Sequence, residues 1–269
     1  DRGTWSAPAS ALVRLDRQAP KLIGQPEILS NEHGLIMAFR TDEPCMAILH
    51  YGTTRAHGNK ANTPPRVTRK WDPNDGGEWI ETWSVPRREF ALAVLSPNVK
   101  SGETVHMKLV LEDQGGLSVE SAEFEAMVTG AAREVHVSPT GKDTTARGAQ
   151  AQPYRTVQYA VDRALPGDRV ILQPGVYAGR TFITHGGVDA KTTLTIEAAQ
   201  PTSVTLDSAK REEAVIHLES APYVTLRNLR ILYFKKAGVY AYRSPHLTVE
   251  RCTSYNGHGW QDGYHVFCF

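Results

Sequence analysis

The sequence of 269 residues predicts an all-β protein in which a small β-sandwich precedes a solenoid of stacked parallel strands. The solenoid is predicted by short alternating apolar stretches that recur every 22 to 25 residues, since each coil stacks its apolar side chains on the next. The gaps between these stretches are short and polar, which excludes the helices that an ordinary parallel sheet requires. The sandwich is predicted by five short strands separated by turn residues.

The first half of the chain contains the lead-in and the predicted sandwich. Residues 1–21 have no clear period and are interpreted as an extended lead-in, and residues 22–130 are interpreted as the sandwich. Its predicted strands cover 34–41, 45–52, 89–97, 104–113 and 122–130, with a turn at Asp42-Glu43-Pro44 between the first two. Residues 53–80 are polar and are predicted to form a long loop.

The order of these strands resembles that of fibronectin type III modules. In that family a Thr-Asp-Glu-Pro turn precedes a strand that ends in Tyr-Gly, as in residues 41–52 of this chain. Val105 stands where the family often carries a tyrosine. The resemblance implies that residues 22–130 form a fibronectin III-like sandwich.

The segment 135–177 marks the beginning of the solenoid. It consists of a strand, a polar loop, a short amphipathic helix, a Pro-Gly turn, a strand and a second Pro-Gly turn. The helix is predicted at about 154–164, where its apolar stripe would cover the open end of the first coil. That stripe consists of Val157, Val161 and Leu165. The order resembles the first segment of pectate-lyase-like proteins, which implies a right-handed parallel β-helix with an N-terminal capping helix over 134–269.

Two sets of apolar positions repeat along this segment. The first set pairs Leu194/Ile196, Ile216/Leu218, Val239/Ala241 and Tyr264/Val266, with Val170/Leu172 as a first rung. In the second set, Val224, Leu226, Leu229 and Ile231 recur 23 residues later as Leu247, Val249, Cys252 and Ser254. Two registers with one offset are hard to obtain by chance, so we expect the pairs to stack in consecutive coils.

The residues between these apolar positions should point out of the solenoid. One outward column then consists of Ile171, Thr195, His217, Tyr240 and His265, and a second of Gln173, Glu197, Glu219, Tyr242 and Phe267. Both columns become aromatic and ionisable over the last three coils. Aromatic rings can lie against the apolar faces of sugars, which predicts a glycan-binding face. In the other interpretation, covering loops bury these rings as a second core.

The residues near this face fit the chemistry of a polysaccharide lyase. Such an enzyme needs a base for the proton beside a uronate carboxyl group and a positive group for the developing charge. The predicted catalytic residues are Lys235, Lys236, His217 and His265. The predicted substrate-binding residues are Glu219, Tyr240, Tyr242, Arg243, Trp260 and Phe267. Glycoside hydrolysis would instead need paired carboxylates, for which Glu219 with Asp262 or with Glu197 are the candidates.

Residues 252–267 resemble one coil of some lyases, including family 9 pectate lyases, in which such coils contribute calcium-binding acids. Asp262 and Asn256 match those ligands in type, whereas His258 and His265 stand where acids are expected. The resemblance implies calcium as a cofactor held by Asp262 and Asn256. Calcium sites use six to eight oxygen ligands, so two matching residues do not define one.

Composition narrows the partners. With 30 basic and 29 acidic residues the formal charge is +1, which gives no field to attract nucleic acid or a membrane surface. No apolar run approaches the ~20 residues of a membrane-spanning helix. The three cysteines lack the spacing of zinc or redox motifs. The chain starts at Asp1, and we expect a removed leader and export to the periplasm, cell surface or medium.

Phe269 ends the sequence within a strand-like run. An open last coil would expose unpaired backbone, so we expect either further coils or self-association through this end. Taken with the ionisable face, the sequence predicts an exported carbohydrate-active protein, foremost a lyase acting on an acidic, uronate-containing polysaccharide. The alternatives are a non-catalytic glycan-binding, adhesion or surface-assembly module, and a glycoside hydrolase.

Overall fold

The computed structural model describes residues 17–62, 66–71, 78–83, 87–145, 147–209, 211–255 and 264–268. The first eight strands are β1 (Glu27–Asn31), β2 (Gly34–Gly52), β3 (Asn59–Asn62), β4 (Arg66–Trp71), β5 (Glu78–Trp83), β6 (Arg87–Leu95), β7 (Thr104–Glu112) and β8 (Ser118–Met127). They precede the solenoid and, apart from the separate pair β4–β5, form one connected set of antiparallel strands.

The solenoid follows with thirteen strands and one helix in the described residues. They are β9 (Glu134–Val137), α1 (Val157–Val161), β10 (Arg169–Leu172), β11 (Gly175–Ala178), β12 (Thr181–Ile183), β13 (Leu194–Ala198), β14 (Val204–Asp207), β15 (Ala214–Glu219), β16 (Val224–Arg227), β17 (Arg230–Leu232), β18 (Ala237–Tyr242), β19 (Thr248–Glu250), β20 (Thr253–Tyr255) and β21 (Tyr264–Cys268). The five-residue α1 is the only helix among the described residues, so none there is long enough to cross a membrane.

The sandwich is organised around the 19-residue strand β2. Its first half pairs with β1 and β6, and its second half pairs with β3 and β7, so one strand serves two sheets. The predicted turn at Asp42-Glu43-Pro44 is therefore wrong. Instead, the register against β6 shifts between Arg40 and Cys45, and the strand changes sheets there, as strands do at the corners of packed sheets.

Apolar side chains from both halves of β2 meet in one core. Leu35 and Met37 come from its first half and Leu49 from its second, and all three are fully buried. Val105 and Met107 of β7 complete the layer. The small β-sandwich is confirmed, whereas its likeness to fibronectin III modules and the boundaries at 22–130 and 134–269 stay predictions.

Residues 53–80 differ from the predicted loop. The segment contains β3 and β4 and the start of β5, and β4 and β5 form a two-stranded antiparallel sheet. Polar composition hid these strands because a hairpin that faces solvent on both sides lacks apolar alternation.

The helix that covers the first coil is confirmed in position and is shorter than predicted. Thr156 caps α1 by accepting a hydrogen bond from the backbone N–H of Tyr159, and Asp143 fixes Thr156 by accepting from its N–H and hydroxyl. After Val161 the chain tightens into a turn that ends at the Pro166-Gly167 pair. The predicted stripe of Val157, Val161 and Leu165 is buried against the first coil.

The solenoid is built from three parallel sheets that run along its length. The first sheet has the order β9-β10-β13-β16-β19, the second β11-β14-β17-β20 and the third β12-β15-β18-β21. Successive coils therefore stack strand on strand, and their apolar side chains fill a continuous interior. The predicted all-β fold, with a right-handed parallel β-helix of about three turns, is confirmed.

Corner residues repeat along with the strands. Six corner residues have a left-handed backbone: Ser220, Tyr223 and Asn228, and 23 residues later Arg243, His246 and Arg251. Matching corners also touch, since the rings of Tyr223 and His246 stack at 4.3 Å and the Arg251 Nε donates to Asn228 Oδ1 at 2.8 Å. The sequence repeat thus reflects a repeat of backbone conformation.

The two predicted apolar registers fare differently. The second one is confirmed, because Leu226 lies opposite Val249 and Ile231 opposite Ser254. In the first one, Ile216 stacks on Val239 as expected, but Leu194 pairs with Val224 on another sheet. The last strand is shifted by two residues from the prediction, with Val266 rather than Tyr264 opposite Val239.

The sandwich docks on the first coil through polar contacts. The Asn31 amide donates to the carbonyl of Pro166 at 2.9 Å, and Arg163 Nε lies 2.8 Å from Glu27 Oε2 with both side chains largely buried. Both contacts join the sandwich to the turn that ends the capping helix.

Candidate functional site

The third sheet of the solenoid carries a row of stacked rings on its outer surface. Phe182 of β12 lies opposite His217 of β15, and His217 lies opposite Tyr240 of β18. Their ring centroids are 4.8 Å apart at each step, which is the spacing of neighbouring strands. We call Phe182, His217, Tyr240 and the adjacent Glu219 and Tyr242 the aromatic face.

A buried histidine and a buried carboxylate meet within this face. His217 Nε2 lies 3.7 Å from Glu219 Oε2, and Glu219 is only 3% exposed. Neither atom has a hydrogen-bond partner among the described residues. Buried polar atoms are normally satisfied, and unsatisfied ones that lie close together often belong to a functional site. The pair has the composition of an imidazole base with a carboxylate beside it.

Tyr242 and Arg243 lie at the far end of β18. Tyr242 is opposite Glu219 and only 8% exposed, so it is part of a packed layer rather than an open groove wall. The exposed Arg243 follows it, with its guanidinium carbon 5.1 Å from the centroid of the Tyr242 ring. This arrangement puts a solvent-exposed positive charge at the Glu219 end of the face.

The predicted columns need correction. Ile171 and Thr195 belong to the first sheet, where Ile171 lies opposite Glu197. The column through His217 starts at Phe182 instead, and the residue opposite Tyr240 in β21 is Phe267, not His265. Sequence reasoning missed Phe182 because it precedes His217 by 35 residues, outside the expected coil length. Its signal was a short apolar strand after the second Pro-Gly turn.

The two predicted catalytic lysines lie away from the rings. Lys235 and Lys236 precede β18, and Lys236 Nζ pairs with Glu213 Oε2 at 3.1 Å on the surface. Tyr240 lies four residues further along the same strand, about 13 Å away for an extended chain. The structure thus brings His217 and Glu219 together and leaves both lysines at the opposite end of the sheet.

The predicted proximity of Glu197 to Glu219 is wrong. Glu197 lies on the first sheet, where Arg169 Nε donates to Glu197 Oε1 at 2.8 Å and Arg227 Nη1 lies 3.3 Å from Glu197 Oε2. A carboxylate between two guanidinium groups is held ionised for structure and is poorly suited to donate a proton. Glu197 and Glu219 therefore do not form the carboxylate pair of a hydrolase.

Three other predicted residues, Asn256, Trp260 and Asp262, lie outside the described residues, as does the calcium site that they were predicted to form. His265 and Phe267 are placed on β21 by its register. The roles of all five residues stay predictions.

Comparison with known proteins finds likeness in fold. The sequence matches no protein-family model and no curated protein. Solved structures that resemble the chain include a rhamnogalacturonan lyase, with 13% identity and a TM-score of 0.38 over 49% of this chain and 36% of that one. They also include a family 28 exopolygalacturonase from Yersinia enterocolitica, with 12% identity and a TM-score of 0.25 over 94% and 63%.

A third is a pectate lyase from Erwinia chrysanthemi in complex with tetragalacturonic acid, with 11% identity and a TM-score of 0.23 over 88% of this chain and 64% of that one. The chain thus spans less than two thirds of each of these three structures. These neighbours are pectate-lyase-type β-helix proteins and polysaccharide-degrading enzymes, and the likeness concerns the fold.

Proposed function

We propose that this protein is an extracytoplasmic lyase that binds an acidic polysaccharide across the aromatic face. The observation that carries the proposal is the unsatisfied pair of His217 and Glu219 beside stacked rings on the outside of the solenoid. Rings outside a coil do not stabilise its interior, and they match the apolar faces of sugars. The polysaccharide-acting proteins among the fold neighbours are in keeping with this substrate class.

The chemistry assigned to the face is elimination beside a uronate carboxyl group. His217 is the base: a Glu219 carboxylate opposite Nε2 favours the tautomer with the proton on that nitrogen, which leaves the lone pair of Nδ1 to accept the substrate proton. The 3.7 Å separation is long, as catalytic contacts often are before substrate binds. Glu219 is a positioning residue in this scheme.

Arg243 supplies the positive charge. It is exposed at the Glu219 end of the face, where its guanidinium can pair with the uronate carboxylate in two parallel hydrogen bonds. As the proton leaves, charge builds up on that carboxylate, the C–O bond to the neighbouring sugar breaks, and the product carries a carbon–carbon double bond. A cation at the carboxylate lowers the barrier to this step.

A non-catalytic glycan-binding module is the second candidate. The burial of the His217 Nε2 atom and the distance of both lysines from the rings favour it, because they restrict access to the pair and remove two of the predicted cations. A binding module would use the same rings and Arg243 without an elimination step.

The test is an assay of uronate polysaccharides for ultraviolet absorbance of the new double bond, together with affinity electrophoresis on the same polymers. We expect His217→Gln to lower turnover by about 10²–10⁴-fold with binding retained. Arg243→Ala should weaken both turnover and binding. The matched control is His246→Gln, an exposed histidine stacked on Tyr223 at a corner of the solenoid.

Binding without product on every polymer would identify the non-catalytic module. Product formation that survives His217→Gln would rule out the assigned base. A neutral glucan included in the panel should neither bind nor react, and equal retention on it would contradict the role given to Arg243.

A further inference from the structure

A cluster of histidines and carboxylates lies on the outer surface of the sandwich, far in sequence from the aromatic face. His106 on β7 lies opposite Glu125 on β8, and Glu123 is two residues away on the same side of the strand. His106 Nδ1 is 3.1 Å from Glu123 Oε1 and 3.2 Å from Glu125 Oε1. One ligand atom from each residue lies within 4.8 Å of the other two, and no other trio of His, Cys, Asp or Glu among the described residues does so.

A second histidine reaches this cluster from the turn after β2. The turn folds back against Gly52, where a Cβ would come within 3.3 Å of the Thr54 carbonyl and the Gly58 nitrogen. Gly52 is itself opposite His106 in the sheet. The missing side chain therefore lets the turn close over the cluster and bring His57 above it.

The Nε2 atom of His57 is buried and has no hydrogen-bond partner among the described residues. It lies 4.0 Å from Glu123 Oε1, too far for a hydrogen bond. A buried nitrogen without a partner beside two carboxylates is accounted for if an ion lies between them. This orphaned atom is independent of the contacts that hold His106 and the two glutamates together.

Arg55 presently balances the negative charge of the cluster. Its Nη2 lies 2.9 Å from Glu125 Oε1 and its Nε 3.4 Å from Glu123 Oε1, while the side chain is 74% exposed. A long side chain that is mostly in solvent can turn away at little cost, since exposed ion pairs contribute little. The guanidinium thus marks a cation position without closing it.

We propose that His57, His106, Glu123 and Glu125 bind a divalent transition-metal ion of the zinc class. Tetrahedral zinc sites have ligands about 2.0–2.1 Å from the metal, which places ligand atoms about 3.3 Å from one another. The two His106 contacts already have this separation, and the His57 contact needs a small shift. Two imidazoles among four ligands favour zinc over calcium, which prefers oxygen.

The bound ion would tie the turn at residues 53–58 to β7 and β8. Three protein segments would then share one ion, with Arg55 displaced into solvent. The site is structural in this scheme and does not depend on the function proposed for the aromatic face.

The test is zinc titration by calorimetry on the full chain, prepared without a histidine tag and stripped with a chelator. We expect one tight site per chain, and at least a 10-fold loss of affinity in His57→Ala and in His106→Ala. Arg55→Gln should instead raise zinc affinity, because it removes the competing cation and leaves all four ligands. The matched control is His50→Ala, a histidine on the neighbouring strand outside the four ligands.

Circular dichroism in chelator should show that every variant keeps its strands, and a loss of zinc binding then reports the site rather than unfolding. Excess calcium should leave the zinc affinity unchanged. The proposal is overturned if no tight site is found, if His57→Ala and His106→Ala bind zinc as the wild type does, or if Arg55→Gln weakens binding.

Discussion

Two faces of the β-helix carry buried carboxylates in opposite electrostatic surroundings. On the first sheet, Glu197 is 6% exposed and lies between the guanidinium groups of Arg169 and Arg227. On the third sheet, Glu219 is 3% exposed, and its ion-pair neighbour in the described part of the chain is a histidine. Burial is nearly equal, so the difference lies in the partners: one carboxylate is stabilised where it stands, and the other is not.

The pairs on the first sheet continue from coil to coil. Arg169 Nη1 lies 2.6 Å from Glu134 Oε1, and Arg227 Nε lies 2.7 Å from Glu250 Oε2, so five charged residues alternate in sign across β9, β10, β13, β16 and β19. We call this row the charge ladder. It shows that this chain satisfies buried carboxylates where structure alone requires it, which makes the unsatisfied Glu219 more informative.

The largest effect is expected on the aromatic face, from Tyr242→Ala. The ring is nearly buried, and its removal should lower the free energy of unfolding by about 3 kcal/mol, as for other buried aromatic residues. Tyr240→Ala, at a half-buried ring of the same strand, should cost less. Urea unfolding of the two variants measures both. Equal and small losses would mean that the face is an open groove, as one of the two interpretations of the sequence predicted.

The charge ladder should respond to Glu197→Gln with a smaller loss of about 1–2 kcal/mol in the free energy of unfolding. The change leaves two guanidinium groups without their shared carboxylate, and the partial exposure of both arginines moderates the cost. Added salt should shrink the difference from wild type, because it screens the lost attraction. Unfolding measured at low and high salt checks this; a salt-independent loss would attribute the effect to packing.

The smallest effect, with the opposite sign, is expected from Glu219→Gln. This carboxylate has an unsatisfied oxygen, so a neutral amide of the same shape relieves the cost of its burial. The free energy of unfolding should stay unchanged or rise by up to about 1 kcal/mol, while turnover falls because His217 loses its positioning carboxylate. A loss of stability equal to that of Glu197→Gln would remove the contrast between the two faces.

Much of the solenoid could be predicted from the sequence because stacking imposes periodic apolar positions. The interval from Leu226 to Val249 is 23 residues and so is that from Ile216 to Val239, and both pairs were predicted correctly. The interval from Ile196 to Leu226 is 30 residues, because a loop lengthens that coil. A search with a fixed offset therefore placed Leu194 on the sheet of Ile216, and the error carried over to the outward columns.

The site was predictable only in part for the same physical reason. His217, Glu219, Tyr240 and Tyr242 fall in the regular coils, so their common face follows from alternation along two strands. The ladder was not predicted, because its partners come from coils of unequal length, and an unequal length hides which residues meet. Burial of Glu219 and Tyr242 also depends on what covers the sheet, which a strand pattern does not encode.

The charge ladder also sets a parity rule for changes in coil number. Its signs run Glu134, Arg169, Glu197, Arg227, Glu250, one residue in each coil. Losing or duplicating a single coil within the row would place two like charges on neighbouring rungs, whereas a change of two coils would restore the alternation. Repeat proteins change length most simply by whole repeats. In this chain the ladder would therefore penalise the odd steps and tolerate the even ones.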